Sequence, residues 1–184
     1  LSFDLPAAVV VKHLSPCGIA TAPTVEQTIA PAVASDPVSA FGSVIATNRP
    51  VNIEFGRGLG DLFVECIAAP AFSAEAGELL SSRKNLRLLQ IPPDAPRPQH
   101  EIRSVVGGFL RQSVDGGDPA DAPAWQVVTK RDPTARELFA LRFAWKAVQP
   151  VKSNAVLLAD SQNDICFTVG IGGGQPNRVD CVHM

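Results

Sequence analysis

Lys12 and His13 stand side by side between the apolar run Ala7-Ala8-Val9-Val10-Val11 and the segment Ser15-Pro16-Cys17-Gly18. Histidine exchanges protons near neutral pH, and a partly desolvated lysine stabilises developing negative charge. Together they suit a reaction in which an attacking group sheds a proton while an oxyanion forms. The run before them, β-branched and continuous, reads as a strand buried on both faces beneath helices. Neighbouring strand residues point to opposite faces, so both side chains reach one ligand only if the chain bends, and residues 15–18 are predicted to supply that bend. A lone histidine at a strand end also serves structural roles, and the rest of the chain has to decide between the two.

Other segments carry chemistry-bearing residues. Val64-Glu65-Cys66-Ile67-Ala68 brings one acid into an otherwise apolar strand, where a carboxylate is either paired or aimed at a site. Phe41-Gly42 closes a turn over 36–42 ahead of the strand Ser43-Val44-Ile45-Ala46-Thr47, where a glycine permits close backbone approach to a ligand. Lys152-Ser153-Asn154 leads into the strand Ala155-Val156-Leu157-Leu158-Ala159; a turn over 160–164, a strand over 165–169 and the run Gly170-Ile171-Gly172-Gly173-Gly174-Gln175-Pro176-Asn177-Arg178 follow. That run is not a dinucleotide loop, because Gln175 stands where the third glycine of G-x-G-x-x-G belongs. It is expected to be a loop that brings backbone and Arg178 to an anionic group.

No metal is expected. Cys17, Cys66, Cys166 and Cys181 are scattered without a C-x-x-C pair, and Leu14-Ser15 after His13 breaks the H-x-E of a zinc deaminase. Such cysteines read as reduced thiols of a cytoplasmic protein. The 184 residues are 46% hydrophobic, enough for a real core. Sixteen basic against eighteen acidic residues leave a charge of −2 with no basic block to track phosphates, which argues against nucleic acid. No apolar run approaches the ~20 residues that span a bilayer, and the residues around Asp4 and Pro6 do not read as a signal peptide.

Thr24-Val25-Glu26-Gln27 reads as a capping box opening a helix to about Ala34, with Pro31 either delaying its start or kinking it. A helix thinned by Gly56, Gly58 and Gly60 is expected around Ile53 to Leu62, Ser73 caps another to about Ser82, and 86–91 is a strand. Prolines 92, 93, 96 and 98 make a stiff connector. It divides the chain into residues 1–91, a connector over 92–101, and 102–184. Gly107-Gly108 within a strand pattern over 102–112 suggests a bulge or a point where another backbone approaches, 115–123 a loop, and 125–129 another strand. Thr134-Ala135-Arg136-Glu137 is a second capping box, opening a helix with Leu138, Leu141, Phe143, Trp145 and Val148 on its apolar face until Pro150. The alternation gives an α/β protein with a mixed sheet.

Eight motifs then follow one another in order: Lys12-His13-x-x-Pro16-Cys17-Gly18, Asp36-Pro37-Val38-Ser39-Ala40-Phe41-Gly42, Ala69-Pro70, Asn85-Leu86-Arg87-Leu88-Leu89, Gly107-Gly108-x-Leu110-x-Gln112, Val127-Val128-Thr129-Lys130, Lys152-Ser153-Asn154-Ala155 and Gly170-Ile171-Gly172-x-Gly174-Gln175-x-x-Arg178-Val179-Asp180. Over essentially its whole length the chain resembles the transformylase half of the bacterial AICAR formyltransferase/IMP cyclohydrolase family. The resemblance implies a cytidine-deaminase-like mixed sheet flanked by helices, without zinc. It also implies transfer of a formyl group from the co-substrate 10-formyltetrahydrofolate to the 5-amino group of 5-aminoimidazole-4-carboxamide ribonucleotide, in purine biosynthesis. His13 matches the family's proton acceptor and Lys12 its electrostatic partner. Asn154 falls where the family positions the formyl group, Arg178 where it contacts substrate anion, Phe41-Gly42 where heterocycle or folate packs, and Glu65 where it has an acidic ligand-binding residue. The partners implied are the nucleotide, the folate and a second copy of the chain, in a homodimer with the active site at the interface.

The family's cyclohydrolase domain has no counterpart in these residues, nor has its Arg-Tyr-Gly and Asn-Pro-His-Gln motif; the chain contains no tyrosine. After Val179-Asp180 the family continues through a second deaminase-like portion. The alternative expectation is a non-catalytic nucleotide-binding or interaction module that retains the fold.

Overall fold

Alternation of side chains along a strand explains why the first apolar run has no polar face. In the computed structural model, which describes residues 3–96, 98–118 and 124–183, Ala8 and Val10 enter one core while Val9 enters another on the opposite side of the sheet. The elements are β1 (Ala7–Lys12), β2 (Ser15–Thr21), α1 (Glu26–Ala34), β3 (Ser43–Thr47), α2 (Ile53–Gly58), β4 (Val64–Ala69), α3 (Ala74–Ser81), β5 (Arg87–Gln90), β6 (His100–Val105), β7 (Gly108–Ser113), α4 (Ala135–Val148), β8 (Ala155–Gln162), β9 (Ile165–Gly173) and α5 (Arg178–His183). Seven strands form one mixed sheet in the order β5-β4-β3-β1-β2-β9-β8, and β6 and β7 form a separate hairpin. The main sheet draws strands from both sides of the proline-rich segment, because β9 pairs antiparallel with β2 through Ala20 and Phe167.

The first core lies under α1, α2 and α3, where Ile29, Phe55 and Leu80 meet Val10, Ile45 and Ile67. On the other face α4 lays Phe143 and Ala147 on Val9, Ile19 and Cys166. This is the expected mixed sheet flanked by helices. No helix among the described residues is long and apolar enough to cross a membrane.

Several local expectations are corrected. Helix α1 has Val25 at its N-cap with no side-chain cap bond, so the box at Thr24 does not close, and the helix continues through Pro31. Helix α2 stops at Gly58, and Gly60, at φ +51°, turns the chain away. Gly107, at φ +84°, is the hairpin turn between β6 and β7 and not a bulge, since Val105 pairs directly with Gly108. Residues 125–129 form no strand; Trp125 instead meets Trp145 edge-on at 6.0 Å. The loop expected over 115–123 lies partly outside the described residues. Helix α4 buries Ala140, Phe143 and Ala147, leaving Leu141 and Trp145 half exposed, with the Trp145 indole donating to Asp118 Oδ2 at 2.6 Å.

The second capping box does form. Thr134 Oγ1 accepts from the Glu137 amide at 3.2 Å, and Glu137 Oε2 accepts from the Thr134 amide at 2.8 Å. The Arg131 fork donates to both carboxylate oxygens of Glu137 at 2.9 and 2.8 Å, and these bonds hold that carboxyl down at about 2 against an ordinary 4.5. A depressed acid stabilises the fold above its unfolded pKa and loses that contribution as pH falls through the folded one. Amide exchange in the first turn of α4 is therefore expected to accelerate, relative to the rest of α4, between about pH 4.5 and 2, and Glu137→Gln should flatten that change. Equal pH dependence in the two proteins would remove the clasp from the helix's stability.

Candidate functional site at one edge of the sheet

The chain reverses at His13-Leu14 and not at residues 15–18. Both turn residues have positive φ, 52° and 67°, as a type I′ hairpin turn requires. Pro16 sits within β2, where a register shift between Val10 and Val11 tolerates its missing N–H, and Gly18 is needed for packing rather than turning. The second such turn, Asn163-Asp164, uses residue types that tolerate the left-handed region, as histidine also does, whereas Leu14 holds it at a cost of order 1 kcal/mol or more. The strain sits where the imidazole is presented to solvent, at the tip of the turn.

Lys12, the last residue of β1, turns its ammonium onto two main-chain oxygens. Its Nζ donates to Phe41 O at 2.5 Å and to Gly42 O at 3.0 Å. Gly42, at φ +69°, is fixed from the other side by its amide bond to Phe63 O at 2.8 Å, and the Phe41 ring, 62% exposed, lies 5.3 Å from that of Phe63. Glu65 is the extra residue of a β4 bulge, between Val64, paired with Ser43, and Cys66, paired with Val44. Its side chain is exposed and makes no ion pair among the described residues, so of the two readings of a strand carboxylate the paired one is not realised there.

On the far side, Asn154 precedes β8. Its Nδ2 donates to Gln175 O at 3.2 Å and Pro176 O at 3.0 Å, and the Cys181 thiol donates to Asn154 O at 3.1 Å. Asn154 thereby ties β8 to the segment that leads into α5, whose first residue, Arg178, is exposed. The glycines before it do not form the expected loop. Gly172 and Gly173 belong to β9, opposite Val156 and Ala155, because a Cβ on Gly172 would meet Cys181 O at 2.0 Å and one on Gly173 would meet Val151 Cγ1 at 2.5 Å.

Strand directions put the candidates on one edge of the sheet: the end of β1, the starts of β3, β4 and β8, and the end of β9. Lys12 meets Phe41 and Gly42 there; no hydrogen bond or ion pair among the described residues joins Glu65, Asn154 or Arg178 to them. At about 4.8 Å per strand step, Asn154 lies roughly 14 Å along the edge from Lys12 and Glu65 roughly 10 Å the other way. An extended ligand can bridge such gaps and a hydrogen bond cannot. Behind Lys12, bonds from Ser39 hold the Asp36 carboxyl below its usual range, while burial and then the nearby Asp36 charge push the Cys17 thiol up. Sequence reasoning missed the Phe41 and Gly42 carbonyls and the Cys181 thiol. Main-chain partners leave no side-chain signal, and a buried cysteine reads as core.

The family model for the AICARFT/IMPCHase bienzyme matches residues 1–184. The chain is 48% identical over 179 residues to the bifunctional purine biosynthesis protein PurH of Parasynechococcus marenigrum, covering 95% of the chain and 33% of that relative. PurH of Enterococcus faecalis is 47% identical over 183 residues, covering 99% and 35%, and PurH of Halalkalibacterium halodurans is 46% identical over 180, covering 96% and 34%. The chain thus spans about a third of the length of the curated relatives it matches. On the whole-length match and these identities, the chain belongs to the AICARFT/IMPCHase bienzyme family.

Proposed function

We propose that the chain carries the formyl-transfer edge of a purine-biosynthetic enzyme. The formyl group of 10-formyltetrahydrofolate passes to the 5-amino group of 5-aminoimidazole-4-carboxamide ribonucleotide. The amine nitrogen attacks the formyl carbon, His13 takes the amine proton, and the oxyanion that forms faces the Lys12 ammonium. The C–N10 bond then breaks, N10 is protonated, and tetrahydrofolate leaves. Asn154 orients the formyl group, Arg178 holds a substrate anion, Phe41 and Gly42 line the space for a flat ring, and Glu65 takes a polar ligand group. No residue in this scheme calls for a metal. The observation that supports the reading best is an exposed imidazole standing next in the chain to an ammonium held at the same sheet edge. The same reading puts the chain in the cytoplasm and in a homodimer with sites at the interface, to which the exposed Phe109 and Leu110 of the β6–β7 hairpin lend support.

The test supplies the purified chain with the ribonucleotide and 10-formyltetrahydrofolate and follows tetrahydrofolate, with ribonucleotide binding measured by calorimetry. Ribonucleotide-dependent tetrahydrofolate release is the expected result. A second reading, a nucleotide-binding module without turnover, draws on the spread of the candidates along the edge, with Asn154 before β8 three strands from Lys12 at the end of β1; binding without release would establish it. Binding of neither ligand would overturn both.

A further inference from the structure

An ammonium has three N–H donors on a four-carbon stem that is otherwise free to rotate. At Lys12 two of the three are taken by main-chain oxygens of adjacent residues, Phe41 and Gly42. Those carbonyls are held in place: Gly42 is bonded through its amide to Phe63, the Phe41 ring leans on that of Phe63, and β3 begins at the next residue, its Val44 in register with Val11. The seat is also tight. A Cβ at position 42 would stand 3.1 Å from Lys12 Nζ and 3.7 Å from the Phe63 ring, in a backbone conformation at φ +69° that side-chain-bearing residues rarely adopt.

We propose that Phe41 and Gly42 are positioning residues: their two carbonyls seat the Lys12 ammonium, the missing side chain at Gly42 leaves it room, and its third N–H is turned out toward an oxyanion at the sheet edge. The inference deepens the reading of Lys12 as His13's electrostatic partner. It accounts for a glycine where a turn alone would accept asparagine, and it explains why the stem of Lys12 stays with the sheet rather than extending into solvent.

The seat is tested without turnover. The folded chain is acetylated sparingly with N-acetoxysuccinimide, and peptide mass spectrometry gives the rate at Lys12 against the exposed Lys84 and Lys130. In the native chain Lys12 is expected to react several-fold more slowly than either. Gly42→Asn keeps a residue that tolerates positive φ but adds a Cβ, and Gly42→Ala adds both the Cβ and strain; each should bring Lys12 to within about twofold of Lys130. If neither variant folds, the native chain still decides, through a Lys12 ammonium resonance that persists in nitrogen-15 spectra only when exchange with water is slowed. Lys12 reacting as fast as Lys130 in the native chain, absence of that resonance, or an unchanged slow rate in folded Gly42→Asn would overturn the proposal. A seated lysine in a chain that transfers no formyl group would sink the transfer reading and leave the seat standing.

Discussion

Alanine at position 13 is expected to lower formyl transfer by about 10²–10⁴-fold, the range that a positioned general base contributes. In the proposed transfer the acceptor amine is conjugated to an imidazole carboxamide, so its lone pair is a weak nucleophile and its proton must leave as the new bond forms. The turn complicates the experiment, since His13 has φ 52° and any substitution also acts on the hairpin. His13→Asn separates the two effects, because asparagine accepts that backbone region at least as well and has no group to take the proton. Both variants should lose rate, with Asn melting no lower than the native chain and Ala at or slightly below it. A native rate in His13→Asn would take the imidazole out of the chemistry and leave it a turn residue.

Much of this arrangement is legible in the chain, and the exceptions share a cause. The strands around Val9, Ile45, Ile67 and Leu88 declare themselves by apolar runs, and α4 by Thr134 and Glu137, since these depend on local periodicity and capping. Glycines and prolines mislead where their reason is a neighbour far off in sequence. Gly18 reads as a turn residue and instead lets β2 approach α1; Gly172 reads as part of a loop and instead backs onto Cys181. The hairpin reverses at His13-Leu14 against the preference of leucine, whose positive φ has no sequence signature. For the site, the residue types were readable but not their spread: which strands lie between Lys12 and Asn154 is set by pairings such as Ala20 with Phe167, nearly 150 positions apart in the chain.

Gly18→Ala is expected to be among the most destabilising single methyl groups that can be added to the chain. A Cβ there would stand 1.9 Å from Ala32 O and 3.0 Å from Ala32 C, both main chain in α1, so no rotamer change relieves it. Either β2 or α1 has to move. β2 is bonded to β1 along its length, and α1 carries Ile29 and Ala32 into the first core, so any movement opens packing elsewhere. Overpacking costs about 1–3 kcal/mol where side chains can yield, and a main-chain clash belongs at or above the upper end, a large share of a stability of about 5–15 kcal/mol. With a urea slope of about 2 kcal/mol per molar, the unfolding midpoint should fall by roughly 1.5 M. Gly77→Ala is the internal contrast. It adds the same methyl group inside α3, where nothing lies within 4 Å, and should raise stability by about 0.5–1 kcal/mol. Opposite signs for one chemical change would show that contact rather than glycine flexibility decides at position 18; a Gly18→Ala midpoint equal to the native one would mean that β2 and α1 do not approach so closely. Because the same β2 begins at the His13-Leu14 turn, a tolerated but shifted Gly18→Ala should also slow formyl transfer, through displacement of the imidazole rather than through loss of any group that reacts.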